Sequence, residues 1–198
     1  MTVRVEPTAD SRFGTNSYLV EDEATHDAVV IDIAKQRGAK VKAILLTHTD
    51  IDHIAGLHEL RMAFGPIPIA VHEAEKDVIE KGRPLRREFG PIATRLDNVT
   101  SLVEGEPYRA GSLEFEVLHT PGHSPGGVTL KIDGYLFTGD ALFAGSIGRS
   151  DFANADGAAL LEGIRSKLLS QPDDAIVYSG HGQATTIGRE RRMNPFLT

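Results

Sequence analysis

The stretch LLTHTDIDHIAG, residues 45–56, passes from apolar to ionisable side chains in one step. Leu45 and Leu46, with Ile44 before them, read as the end of a buried strand. His48, Asp50, Asp52 and His53 follow within six positions. Two imidazoles and two carboxylates crowded at a strand mouth face repulsion or costly loss of hydration unless something binds them all. A divalent cation does: neutral imidazole and carboxylate are ligands for zinc, iron or manganese.

The rest of the chain repeats the arrangement. Short apolar runs bounded by turn residues predict strands at 15–20, 28–31, 43–46, 67–71, 113–118, 128–132, 135–137 and 175–178. Asp133-Gly134 between two of them predicts a hairpin. Helices are expected over 56–64, 72–81 and 186–193, the last stopped by Pro195. Another is expected after Asp156 as its cap, with Leu160, Leu161, Ile164 and Leu168 in one apolar stripe. Four strands end alike: ILLTH at His48, FEVLHTPGH at His123, YLFTGD at Asp140 and AIVYSGH at His181. Rigid strands whose end loops carry ligands of one kind suggest a shared metal site.

Composition narrows the class. With 198 residues, 40% hydrophobic and 25% charged, the chain suits one mixed α and β domain over residues 1–198. A net charge of −7 with no basic run argues against nucleic acid or an anionic membrane as partner and leaves a small-molecule substrate. The absence of cysteine excludes disulfides, thiolate ligands and a cysteine nucleophile. No stretch reaches the ~18 apolar residues of a membrane span, and no leader-like apolar region opens the chain, so a cytoplasmic location is expected. Oligomeric state is left open.

THTDIDHIAG, HTPGHSPGG, FTGDALFAGSIGRSDF and SGHGQATTIGRERRMNPF, in this order, resemble the metallo-β-lactamase superfamily, especially its small glyoxalase II-like and persulfide dioxygenase-like branches. The resemblance implies an α/β fold, a four-layer αβ/βα sandwich of two facing mixed sheets with outer helices and a metal cleft along one edge. It places His48, Asp50 and His123 at one metal site, and Asp52, His53 and His181 at a second. Asp140 would bridge the two. It further implies two divalent ions (zinc, iron or manganese) sharing a hydroxide, with Asp52 orienting that hydroxide or moving its proton.

Two departures from the family pattern stand out. The common motif is H-x-H-x-D-H, and here Asp50 replaces its second histidine. Either Asp50 coordinates and favours iron or manganese over zinc, or it turns away and accepts a backbone hydrogen bond. From sequence alone, Asp50→His should tighten zinc at site one, as read by chelator competition. The other departure is upstream, where only the eleven residues IAKQRGAKVKA separate Asp32 from Ile44, so one cleft wall is expected to be low.

Other candidates carry less. Arg149 suits a substrate carboxylate or an ion pair with Asp151. His119 lies four residues before His123, as a neighbour of the site or an ordinary histidine. Arg189, Arg191 and Arg192 form a basic face, solvated or contacting an anion. The irregular stretch 82–107 is a lid or decoration. The leading reading is a metal-dependent hydrolase of a small ester or thioester, similar to hydroxyacylglutathione hydrolase but lacking a glutathione-binding helical domain. The alternative is a persulfide dioxygenase with one iron on His48, His123 and Asp140; a β-lactamase or lactonase ranks third.

Overall fold

The computed structural model describes residues 2–32, 40–86 and 95–198. The first sheet runs in the order β1 (Val3–Ala9), β2 (Asn16–Asp22), β3 (Asp27–Ile31), β4 (Lys40–Leu45), β5 (Ile69–His72) and β6 (Val99–Leu102). β1 to β3 are antiparallel; β3 to β6 are parallel. The second sheet has the order β14 (Thr185–Thr186), β13 (Ile176–Ser179), β10 (Tyr135–Gly139), β9 (Val128–Ile132), β8 (Leu113–His119) and β7 (Tyr108–Ala110). It is antiparallel except for the β10–β13 pair. A small hairpin, β11 (Leu142–Phe143) and β12 (Ser146–Ile147), stands apart.

Side-chain alternation explains the layering. Val29, Ile31 and Leu45 of the first sheet face Phe115, Val117, Leu130 and Phe137 of the second in one buried cluster. The alternate residues Ala28, Val30, Ile44 and Leu46 face outward, onto helices α1 (Ile51–Ile54), α2 (Leu57–Phe64) and α3 (Lys76–Lys81). A strand buried on both faces must be apolar throughout, hence the unbroken runs AVVI and AILL. On the far side, Leu136 and Val177 pack against Leu160 of α4 (Gly157–Gly163) and Ile187 of α5 (Ile187–Met193). The result is the expected α/β sandwich of two mixed sheets between helices. Among the described residues no helix is long and apolar enough to cross a membrane.

Local chemistry sets the element ends. Asp156 caps α4 by accepting from the amides of Ala158 and Ala159, and Gly82 closes α3 at a φ of +65°. α4 runs into a wider π turn, Ile164–Leu168, which keeps Ile164 and Leu168 fully buried, whereas Leu161 of the expected stripe is only partly covered. The expected helix over 72–81 starts as a 3-10 turn, Glu73–Glu75, before α3. β1, β6, β7 and the two-residue strands β11, β12 and β14 are absent from the strands expected from sequence. β1 is an edge strand with Pro7 and mostly exposed side chains, β6 buries only Leu102 fully, and β7 has three residues. β6 also orders part of the stretch expected to be irregular. Residues 33–39, within the short segment after Asp32, and residues 87–94 lie outside those described.

Phe137 links core to site: it is fully buried against Tyr18 and Tyr178, three residues before Asp140. Phe137→Ala should cost about 3–5 kcal/mol of stability, measured by urea unfolding.

Candidate metal centre

Strand ends from both sheets meet along one edge. β4 delivers His48 and Asp50, and the single turn of α1 that follows presents Asp52 and His53. From the second sheet, the loop after β8 brings His123, the end of β10 brings Asp140, and the end of β13 brings His181. All seven side chains singled out in the sequence meet in one cluster at that edge. Among the described residues three overlapping sets, His48–Asp50–His123, His48–His53–Asp140 and Asp52–His53–His181, each place their donor atoms within 4.8 Å of one another.

Hydrogen bonds around the cluster decide which atoms face inward. Asp32, fully buried after β3, accepts from the Thr47 amide at 2.9 Å and the Thr47 hydroxyl at 2.8 Å. It also lies 2.9 Å from His53 Nδ1, which turns His53 Nε2 toward the cluster. His123 Nδ1 donates to the Arg149 carbonyl at 2.8 Å, which turns its Nε2 toward the cluster, where Arg86 Nη2 also lies 3.3 Å away. His123 Nε2 lies 3.0 Å from Asp50 Oδ2 and 3.7 Å from Asp140 Oδ2. Asp140 Oδ1 lies 3.4 Å from His53 Nε2, and its Oδ2 3.5 Å from His181 Nε2. Asp140 thus stands between the two ligand sets. Asp52 Oδ2 accepts from Thr15 Oγ1 at 2.7 Å and sits 3.2 Å from His181 Nε2.

The orphaned atoms show what is missing from the hydrogen-bond account. His48 Nε2, His53 Nε2 and Asp140 Oδ1 are buried and have no hydrogen-bond partner. Imidazole with carboxylate is a donor set that fits a divalent cation, and one at the centre would give these atoms a partner. The electrostatics agree. Burial raises the Asp140 carboxyl, but His53, His48 and His123 outweigh it and hold it well below the usual range. Burial lowers His53, yet Asp32 and Asp140 raise it well above its ordinary value: this field favours positive charge at its centre. Burial and His53 push His48 down, which favours the neutral imidazole that a metal requires.

Several contributors were not singled out from sequence. Asp32 was legible, since it ends the strand AVVI as Asp140 ends YLFTG. Glu75 looked like an ordinary helix residue but is fully buried, accepting from the Thr49 amide and hydroxyl at 2.7 Å each and from the Gly126 amide at 2.8 Å. It ties the loop carrying His48 and Asp50 to the loop after His123. Arg86, in the irregular stretch, is buried and forms a two-pronged ion pair with Asp50.

The secondary candidates divide. Arg149 is exposed, pairs with Asp151 at 2.9 Å and lines the cleft. His119 stacks on His72 at 4.1 Å and bonds to the Pro125 carbonyl, with no contact to the cluster. Arg191 and Arg192 pair with Asp173. The cleft itself measures about 430 Å³, with Ile51, Phe143, Ile147 and Phe152 as apolar walls over Asp52, Asp140 and His181.

Comparison with known proteins agrees with this geometry. The model of the metallo-beta-lactamase superfamily matches residues 10–181. The chain belongs to that superfamily, whose members are mostly hydrolases and bind metals. It is 34% identical over 215 residues to hydroxyacylglutathione hydrolase GloC of Haemophilus influenzae, covering 100% of this chain and 98% of the relative. Among solved structures it resembles BLEG-1 B3 metallo-beta-lactamase (TM-score 0.88, 35% identity, 98% and 100% of the two chains). It also resembles TTHA1623 in a di-iron-bound form (TM-score 0.83, 36% identity, 98% and 100%).

Gly180 is a sharp probe of the cluster, because a Cβ there would strike Asp140 Oδ1 and come within 2.7 Å of His53 Cε1. Gly180→Ala should lower metal affinity roughly 10–100-fold, the loss usual when groups that orient metal ligands are disturbed. Metal content per chain after dialysis reads the effect.

Proposed function

We propose that this protein hydrolyses a small ester or thioester with two divalent ions, the hydroxyacylglutathione class being the first substrate to try. The observation that carries the reading is Asp140, whose Oδ2 lies 3.7 Å from His123 Nε2 of one ligand set and 3.5 Å from His181 Nε2 of the other, while its Oδ1 lies 3.4 Å from His53 Nε2. His48, Asp50 and His123 would hold one ion, Asp52, His53 and His181 the other, with Asp140 shared. When bound, the ions supply Lewis acidity and acidify a water.

The chain's own residues supply position. Thr15 and His181 pin Asp52 Oδ2, so this carboxylate is a fixed acceptor at the cleft floor that orients the attacking water. Ile51, Phe143 and Ile147 give the acyl group an apolar wall, and Arg149 lies at the rim where a substrate carboxylate would reach it. The name of the Haemophilus relative supports a glutathione thioester, and the di-iron form of TTHA1623 supports two iron-type ions. A cytoplasmic location suits such a substrate.

A second reading has its own observation. Asp50 is engaged by Arg86, and without it His48, His123 and Asp140 form a two-histidine, one-carboxylate set of the kind that holds a single iron in oxygenases. Metal analysis of protein purified without added metal decides between them. Two ions per chain, thioester hydrolysis abolished by chelator and restored by metal, and a kcat at least roughly tenfold lower in Asp52→Asn are expected. One iron per chain with oxygen uptake on a persulfide, and no hydrolysis, would replace hydrolase with dioxygenase.

A further inference from the structure

Arg86 is 3% exposed, and among the described residues its guanidinium meets several partners. Nε and Nη2 meet Asp50 Oδ1 and Oδ2 at 2.7 Å each, the parallel fork that binds a carboxylate most strongly. Nη1 donates to Asn154 Oδ1 at 3.0 Å, and Nη2 also donates to the His123 carbonyl at 3.1 Å. The guanidinium lies 3.6 Å over the Phe152 ring. Both nitrogens on the side facing the site are committed to Asp50 and the His123 loop, so Arg86 acts on the site through Asp50.

Asp50 Oδ2 lies 3.0 Å from His123 Nε2 and 3.8 Å from His48 Nε2. Ligands at roughly 2.0–2.2 Å from one ion stand about 3–4 Å from each other, so Oδ2 is at ligand spacing from both histidines. Oδ1 is turned away onto Arg86 Nε. Aspartate also adds a negative charge that an imidazole would not, and the buried guanidinium offsets it.

We propose that Arg86 is a positioning residue for the metal centre, holding Asp50 with one oxygen toward the ion and cancelling its charge, so that Asp50 and Arg86 work only as a pair. The proposal rests on the metal-centre reading. It reverses the expectation for Asp50→His, which now leaves a buried guanidinium without its carboxylate beside a cation.

The test is a cycle of four proteins, the parent, Asp50→His, Arg86→Gln and the double variant, all purified without added metal. Metal per chain is measured, and zinc and manganese affinities are read by chelator competition. Each single change should weaken site one roughly 10–100-fold, as loss of a ligand's orienting partner does. The double should recover most of that loss. Additive losses, or an Asp50→His protein that binds as the parent does, overturn the pairing while leaving the metal centre standing. A parent that takes up no divalent ion overturns both. Should Asp50→His fail to fold, the cycle is run with Asp50→Asn and thermal unfolding: less-than-additive losses support the pair, and additive ones overturn it.

Discussion

Carboxylates buried at the shared edge of the two sheets outnumber the fixed cations there, and much of the local structure answers to that imbalance. Asp32, Asp50, Asp52 and Asp140 crowd around four histidines, with Arg86 as the guanidinium among them. Such a concentration of charge away from water is tolerable only if each oxygen has an assigned partner. Asp32 spends its oxygens on Thr47 and His53, Asp52 on Thr15 and His181, and Asp50 on Arg86. Of these four, Asp140 keeps a buried oxygen with no hydrogen bond, Oδ1, 3.4 Å from His53 Nε2.

The supporting residues give the arrangement its rigidity. The backbone of Thr47–Asp50 is held from one side by Asp32 and from the other by Glu75, both fully buried. Glu75 also reaches Gly126, so loops from different sheets are registered by one side chain. On the second sheet, the Gly180 carbonyl accepts from the Asn16 amide at 2.7 Å, which fixes the loop bearing His181 against β2. These bonds cross between chain segments far apart in sequence. The ligands are therefore positioned by the closed sandwich and not by any one segment.

The cleft joins this polar floor to apolar walls, a division suited to a substrate with a reactive carbonyl and an apolar body. Membership of a superfamily does not choose among thioester, lactam and persulfide. The proposed hydrolase reading leans on the position of Asp140, near residues of both ligand sets.

The sequence by itself determined the layers and the candidate ligand positions. Apolar runs that end in histidine or aspartate announce both a two-faced buried strand and a loop that carries chemistry, because the two signals lie within ten residues. The seven ligand positions are legible for that reason, and Asp32 would have been by the same rule. β1, β6 and β7 were not, because edge and short strands bury too few side chains to leave an alternating pattern. Only the tertiary structure decided the partners of Glu75 and Arg86. Arg86 lies 36 residues from Asp50 and 37 from His123, in a stretch with no periodicity, and its role arises from a contact formed when the sheets close. An ion pair between distant residues leaves no local trace in a sequence; its meaning depends on burial, which is a property of the folded chain.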